Sequence, residues 1–246
     1  MSHGPLPNHI GLYGHAVGEG SLGAFRDCLA RFKEMGYQFC TPGELANEPD
    51  GRWISLSFDD NYRNWTDLMA PLGELGVSAT FFVNTLPMVS AGNPGEIDAY
   101  YDRIEYFGER LPLTWDDLLD IEAKGHLIGC HGHAHWPLSR VSFDAAAVDI
   151  LHSKSLLEAH LGHQVKDFSF PYGMRRFFSR RLRTFCHNHG FTTIVTGIPG
   201  LQYGRKDSLW LHRTPWDFDS PIDYNLENLL VDGRIFHAVS GRSAVG

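Results

Sequence analysis

The chain has 246 residues, 43% of them hydrophobic, and a formal net charge of −8. This is long and apolar enough to bury a sizeable core, and one α/β barrel of this size is common. The acidic balance, read as carrying no basic run, makes nucleic acid and anionic membrane poor partners.

In chain order, a short strand broken by glycines is expected around Ile10–Tyr13. Ser21 is placed to cap a helix whose Leu22, Phe25, Leu29 and Phe32 share one face, with Gly36 as its stop. Trp53–Phe58 alternates large apolar and small polar residues, which predicts a strand with one buried face. Thr66–Leu75 reads as a second helix, weakened by Pro71, and 78–83 as a strand. The stretch at about 85–111 is rich in Gly, Pro, Tyr and acidic residues and reads as an inserted loop that shapes the substrate groove. Its Tyr100, Tyr101, Tyr106 and Phe107 are open to two uses, stacking on sugar rings or packing the loop onto the barrel, and Trp115 and Trp216 share that ambiguity. Of these, Trp216 is the better placed for substrate.

Thr114 opens a third helix, with Asp117 as its capping-box partner and Gly125 at its end. Strand-like runs at 127–130 and 167–170 flank a helix over Ser142–Leu161 that Gly162 closes. A last helix over Ser179–His189, closed by Gly190, precedes runs at 191–196 and 208–212. The alternation predicts a parallel, largely closed sheet: a distorted (β/α) TIM-like barrel of about seven strands, in one domain spanning 1–246. Four cysteines lack a Cys-x-x-Cys pair, and Cys28, Cys130 and Cys186 sit in apolar patterns, so reduced core thiols are expected. No segment is long enough to cross a bilayer, and the N-terminus has neither a basic n-region nor an apolar h-region. A cytoplasmic location is expected.

Three motifs carry chemistry. Ser57-Phe58-Asp59-Asp60 sets two adjacent carboxylates at a strand end, where neighbouring side chains point in different directions. Such a pair repels itself unless a cation or a shared proton relieves it. The second motif, His131-Gly132-His133-Ala134-His135, follows an apolar run. Its outer histidines are spaced to converge on one cation, and Asp60 with His131 and His135 would make a two-His, one-carboxylate site with positions left open. Third, Phe168-Ser169-Phe170-Pro171-Tyr172-Gly173 alternates and then bends, leaving a main-chain N–H free to point outward. All three fall at strand ends, where barrels of this kind hold their catalytic groups.

Together these motifs resemble the polysaccharide deacetylases, the NodB-type domain of carbohydrate esterase family four, in its aromatic-Pro-Tyr-Gly branch. Tyr13…His15-Ala16-Val17, Ala79–Val83 and His135-Trp136-Pro137-Leu138-Ser139 add to the likeness, which runs from about residue 10 to about residue 215. The resemblance implies metal-dependent removal of an acetyl group from an N-acetylated sugar or glycoconjugate precursor. It makes Asp59 the general base and Asp60, His131 and His135 the ligands of a divalent cation, zinc first, with cobalt, nickel or iron as alternatives. Pro171 and Tyr172 would bind substrate and the oxyanion, with Trp216 as a further contact. Saccharide is then the expected partner.

Two departures stand out. Ser169 occupies the place where the commonest family motif has an arginine paired with the catalytic Asp, and Arg213, after the strand-like run at 208–212, is a candidate by position to supply that cation. The general acid is unassigned among His15, His212 and His237. Rival readings are a metal-independent C–N hydrolase of a cyclic amide or ureide, and an inactive carbohydrate-binding relative. A third comes from Gly18-Glu19-Gly20-Ser21-Leu22-Gly23, which matches the dinucleotide pattern G-x-G-x-x-G ahead of a helix, with Glu44 at roughly the distance of the ribose-binding acid.

Overall fold

The structure, a computed structural model, describes residues 6–47, 50–199, 207–218, 220–227 and 229. Strand β1 (His9–Gly14) leads to α1 (Leu22–Glu34), which buries Phe25, Cys28, Leu29 and Phe32 as its spacing predicts. β2 (Tyr37–Cys40) is followed by α2 (Pro42–Ala46), opened by a capping box between Thr41 and Glu44. β3 (Arg52–Asp60) is the central strand, buried from Ile54 to its end. A 3-10 turn at Arg63–Leu68 runs into α3 (Met69–Leu75). Pro71 lies in the first turn of α3, where its missing N–H breaks no helical bond. β4 (Thr80–Val83) follows.

The stretch expected to be an irregular loop instead folds as α4 (Leu86–Val89) and α5 (Pro94–Arg103). Its Gly and Pro residues are start signals here: Pro94 is the first helical residue, and the Asn93 side chain accepts a bond from the Glu96 N–H. Tyr100 and Tyr101 are fully buried, so these two aromatics pack the insertion onto the barrel. α6 (Trp115–Ala123), with the predicted Thr114–Asp117 capping box, precedes β5 (Leu127–Cys130). α7 (Phe143–Leu161), β6 (Asp167–Ser169), α8 (Arg180–Asn188), β7 (Thr193–Val195) and β8 (Thr214–Pro215) complete the order.

All strands lie in one parallel sheet, in the order β7-β6-β5-β4-β3-β1-β8, with β2 also paired to β3. β2 runs along Arg52–Ser55 and β4 along Ser57–Asp60. The seam between β7 and β1 is spanned by Leu211–Pro215: Leu211 bridges to Val195, and Thr214 and Pro215 pair with Leu12 and Tyr13. The fold is thus a distorted (β/α) barrel. The predicted strand at 208–212 is displaced, because the Asp207 carboxylate accepts a bond from the Leu209 N–H and its carbonyl accepts one from Trp210, which turns the chain there. Cys28, Cys40, Cys130 and Cys186 are all buried and outside any disulfide, and no described helix is long and apolar enough to cross a membrane.

Candidate active site

Because every strand is parallel, the C-terminal ends of β1, β3, β5 and β6 open on the same side of the sheet. A cleft of about 460 Å³ lies there, lined among others by Tyr13, Asp59, Asp60, His131, His135 and Tyr172. The non-glycine residues with positive φ among those described are Asp60 (88°), Glu105 (57°), His135 (55°) and Tyr172 (64°), and all four line this cleft. Such backbone costs energy and persists only where surrounding contacts impose it. Strain is therefore concentrated where the chemistry-bearing side chains are.

Asp60, His131 and His135 each offer a ligand atom within 4.8 Å of the others, all buried. The His131 Nδ1 lies 2.6 Å from the Ser169 carbonyl oxygen. A carbonyl only accepts, so Nδ1 carries the proton and the Nε2 lone pair faces Asp60 Oδ1 at 3.4 Å. His135 Nε2 faces the same oxygen at 3.2 Å. Asp60 Oδ1 is buried and accepts no hydrogen bond. Its other oxygen accepts one from the Tyr62 hydroxyl at 2.8 Å, which leaves Oδ1 turned toward the histidines. An orphan carboxylate oxygen facing two imidazole nitrogens fits a divalent cation, and the hard-oxygen, borderline-nitrogen donor set suits first-row metals.

The electrostatics agree. Burial pushes the His135 pKa down to about 4, against the pull of Asp60, so its ring is neutral and available as a ligand. Burial would also lower His131, but Asp59 and Asp60 outweigh it and raise its pKa. A site that attracts a proton this way also attracts a metal ion. Burial raises the Asp60 carboxyl, yet His135 and His131 prevail and hold it well below the usual carboxylate range.

Asp59 points the other way, into an arginine. Arg213 donates from both terminal nitrogens to Asp59, at 2.8 Å to Oδ1 and 2.7 Å to Oδ2. The Arg213 guanidinium also donates to the Ser57 and Ser169 hydroxyls and to the Thr196 carbonyl, and its central carbon lies 4.6 Å from the Tyr13 ring centroid. Ser169, standing where the arginine was missed, donates its hydroxyl to Asp59 Oδ2 at 3.0 Å. Burial raises the Asp59 pKa, but Arg213 first and His131 second bring it below the ordinary value.

The loop of His131–His135 is held from two sides. Asp149 of α7 accepts from the His133 and Ala134 N–H groups, at 2.8 and 3.0 Å. Gly132 lets that carboxylate approach: its φ is 78°, and a Cβ there would meet Asp149 Oδ2 at 2.7 Å. From the other side, Asn84 donates to the His131 and Gly132 carbonyls while the Tyr100 hydroxyl donates to its Oδ1. Gly173 is needed too, since a Cβ on it would lie 2.4 Å from the Gly197 nitrogen. That contact seats the Pro171-Tyr172-Gly173 bend beside His135, whose ring centroid is 4.7 Å from that of Tyr172.

The other predicted residues separate clearly. His15 lines the cleft, whereas His212 is buried outside its lining with Nδ1 against the Thr196 hydroxyl, and His237 lies outside the described residues. Trp216 does not contact the cleft: it is buried in the core against Phe32, ring centroids 5.2 Å apart. Trp115 stacks on His160, Tyr106 lines the cleft, and Phe107 is 86% exposed. Gly23 of the dinucleotide-like run makes no close approach, so the helix–strand contact that its pattern serves is missing. Tyr62, Asp149, Asn84 and Arg103 were not singled out from sequence; each acts through a partner distant in the chain, apart from Tyr62, whose place two residues after Asp60 was the available signal. The run Arg175–Arg183 also corrects the sequence reading, for it carries five arginines.

A family model for polysaccharide deacetylase matches residues 46–194, more than half of the chain. No curated protein sequence matches. Among solved structures, a Streptococcus pyogenes deacetylase, PplD, in complex with acetate is 17% identical with a TM-score of 0.72, over 91% of this chain and 97% of that one. IcaB from Ammonifex degensii is 18% identical with a TM-score of 0.69, again over 91% and 97%. The BpsB deacetylase domain from Bordetella bronchiseptica is 16% identical with a TM-score of 0.66, over 87% and 98%. At these identities the likeness is one of fold.

Proposed function

The chain belongs to the polysaccharide deacetylase family, and from that membership we propose that it hydrolyses the acetyl amide of an N-acetylated sugar or glycoconjugate precursor, using a divalent cation. One observation carries the reading: the buried, unpaired Asp60 Oδ1 facing the nitrogens of His131 and His135. These three residues would hold the cation, zinc first, with cobalt, nickel or iron also suited to the donors. When bound, it supplies a Lewis acid for the acetyl carbonyl and for the attacking water.

The chain's own groups do the rest. Asp59, kept ionised by Arg213, accepts the proton of the water as it attacks. The Tyr172 N–H, on the bend that Gly173 permits and Pro171 precedes, donates to the developing oxyanion. His15, exposed at the cleft, delivers a proton to the departing amine, so that acetate and a free amino sugar leave. Buried thiols outside any disulfide support a reducing compartment, and the reading places the protein in the cytoplasm as a single catalytic domain.

The test is acetate release from N-acetylated saccharides and nucleotide sugars before and after chelation, with metal restored. Acetate that disappears with chelator and returns with metal is expected. Activity indifferent to chelator would favour the metal-free C–N hydrolase, and glycan binding without turnover by metal-loaded protein would favour the inactive relative.

A further inference from the structure

In a chain of net charge −8, the positions of the uncompensated arginines are informative. Arg26, Arg31, Arg63, Arg110, Arg183 and Arg213 each pair with a carboxylate. Among the described residues, those without such a pair are Arg52 and a group made of Arg103, Arg140, Arg175, Arg176, Arg180 and Arg181. Arg52 stands at the start of β3, opposite the cleft, and donates to the Met35 carbonyl and the Tyr37 hydroxyl. Of the other six, Arg103 lines the cleft, and Arg140 and Arg176 sit on Phe177 beside its wall.

Arg103 lines the cleft. The remaining five precede or open α7 and α8, the helices that follow β5 and β6, which puts them on the side where the strands end. A line of ring contacts ties Arg140 and Arg176 to the catalytic group. The His135 ring meets Tyr172 at 4.7 Å and Tyr172 meets Phe177 at 4.9 Å. Phe177 in turn carries Arg176 at 4.8 Å and Arg140 at 5.5 Å from its centroid. The positive rim therefore begins one aromatic ring beyond the cleft wall, and Arg140, Arg175 and Arg176 are exposed.

Folding uses Arg103, which donates to the Ala134 carbonyl, and Arg181, which stacks 3.7 Å from the Phe143 centroid, but it offsets no charge at Arg140, Arg175, Arg176 or Arg180. Arg180 and Arg181 occupy the first turn of α8, where the helix dipole disfavours cations, and no acidic residue offsets them there. Stacking on an aromatic face leaves the edge of a guanidinium free, and that edge matches the paired oxygens of a phosphate. A single sugar carboxylate brings one charge; a phosphate or diphosphate ester brings about two or more. Several uncompensated arginines on one lip suit the latter.

We propose that the sugar taken by this cleft carries a phosphate ester, which Arg140 and Arg176 receive while Arg175 and Arg180 extend the attracting field. The proposal names the substrate class of the deacetylase reading and rests on it. The phosphate belongs to the sugar's carrier, either a soluble nucleoside diphosphate or a lipid diphosphate.

The experiment compares metal-loaded wild type with the R140Q/R176Q variant on N-acetylglucosamine and N-acetylglucosamine 1-phosphate. Expected is a preference for the phosphorylated sugar of at least about tenfold in kcat/KM, worth roughly 1.4 kcal/mol, which falls with added salt. The variant should lose that preference through KM while turning over the neutral sugar as before. A nucleoside-diphosphate sugar and a lipid-diphosphate sugar in vesicles, assayed alike, identify the carrier. Equal rates on both sugars, or a preference that survives in the variant, would overturn the proposal and leave the deacetylase reading standing. Acetate from neither sugar would instead sink that reading. Calorimetry with N-acetylglucosamine 1-phosphate then decides the phosphate site: binding that the variant loses retains it, and binding absent from wild type removes it.

Discussion

Arg213 grips both oxygens of Asp59, at 2.8 and 2.7 Å, across 154 residues of sequence. The guanidinium is the largest opponent of burial at this carboxyl, and removing it leaves burial to push the pKa upward. Arg213→Ala should therefore lower kcat/KM by about 10²–10⁴-fold, the scale of a misplaced or wrongly protonated base. It should also move the acid limb of the pH–rate profile to higher pH. Stability should fall by roughly 3–5 kcal/mol, because Asp59 is left as an unpaired buried charge. Arg213→Lys, which restores charge without the fork, should recover part of the pH shift but little of the rate. An unaltered pH profile in Arg213→Ala would rule out this role.

Tyr62 reaches Asp60 from the opposite side of the candidate metal set, its hydroxyl 2.8 Å from Oδ2. That bond decides which carboxylate oxygen faces the histidines. Tyr62→Phe removes the donor and keeps the ring, which is buried against Trp65 and Tyr106. Loss of an outer partner of this kind typically costs 10–100-fold in metal affinity, roughly, with the fold retained. Competition against a chelator of known affinity measures it. Equal affinity for wild type and variant would show that Asp60 needs no orientation from Tyr62.

The next expectation concerns Asp149, which spans the loop of the two histidines from α7. Replacing it by Ala leaves the His133 and Ala134 N–H groups without their acceptor, at about 1–3 kcal/mol each where buried. Asp149→Ala should unfold earlier than wild type and gain less stability from saturating zinc, since the loop is no longer fixed for binding. Asp149→Asn retains one acceptor oxygen and should fall between the two. Thermal melts with and without metal separate the effects, and an undiminished gain on metal addition in Asp149→Ala would show that the loop holds its shape unaided.

What the sequence disclosed follows from the range of the interactions. Asp59, Asp60 and His131 were legible because each sits at the end of a recognisable strand, and barrel topology converges such ends; His135 was legible from its four-residue spacing to His131. The sequence points to Arg213 from its place after the run at 208–212; that strand is displaced, and Arg213 reaches Asp59 from just before β8 instead. Trp216 was misassigned although strand alternation holds the correction: with Arg213 turned to the inner face, a residue three places on falls on the opposite face, and Trp216 is in the outer core. The 85–111 segment is hard to read from sequence because Pro and Gly break helices as well as start them, and here Asn93-Pro94 starts one. Asp149 was illegible, since nothing local distinguishes an acid facing a loop from one facing water. The arginine run was passed over because a net charge averages away a local cluster.

The last expectation tests the barrel away from its chemistry. Asp167 opens β6, paired in register with Thr193 and at the end of the strand opposite the cleft. Burial lifts its pKa to about 6, against a hydrogen bond from Thr193 and the charge of Lys166. The folded protein thus binds this proton more tightly than the unfolded chain, whose Asp titrates near about 3.9. Its contribution to stability is fully present below about pH 4 and is lost as pH rises through about 6, so the ionised form costs on the order of 2–3 kcal/mol at pH 8. Asp167→Asn keeps an acceptor for Thr193 and removes the titration. The variant should be more stable than wild type by about 2 kcal/mol at pH 8 and no more stable at pH 4. Urea unfolding at the two pH values measures this, and a difference of equal size at both would mean that Asp167 is not the titrating group.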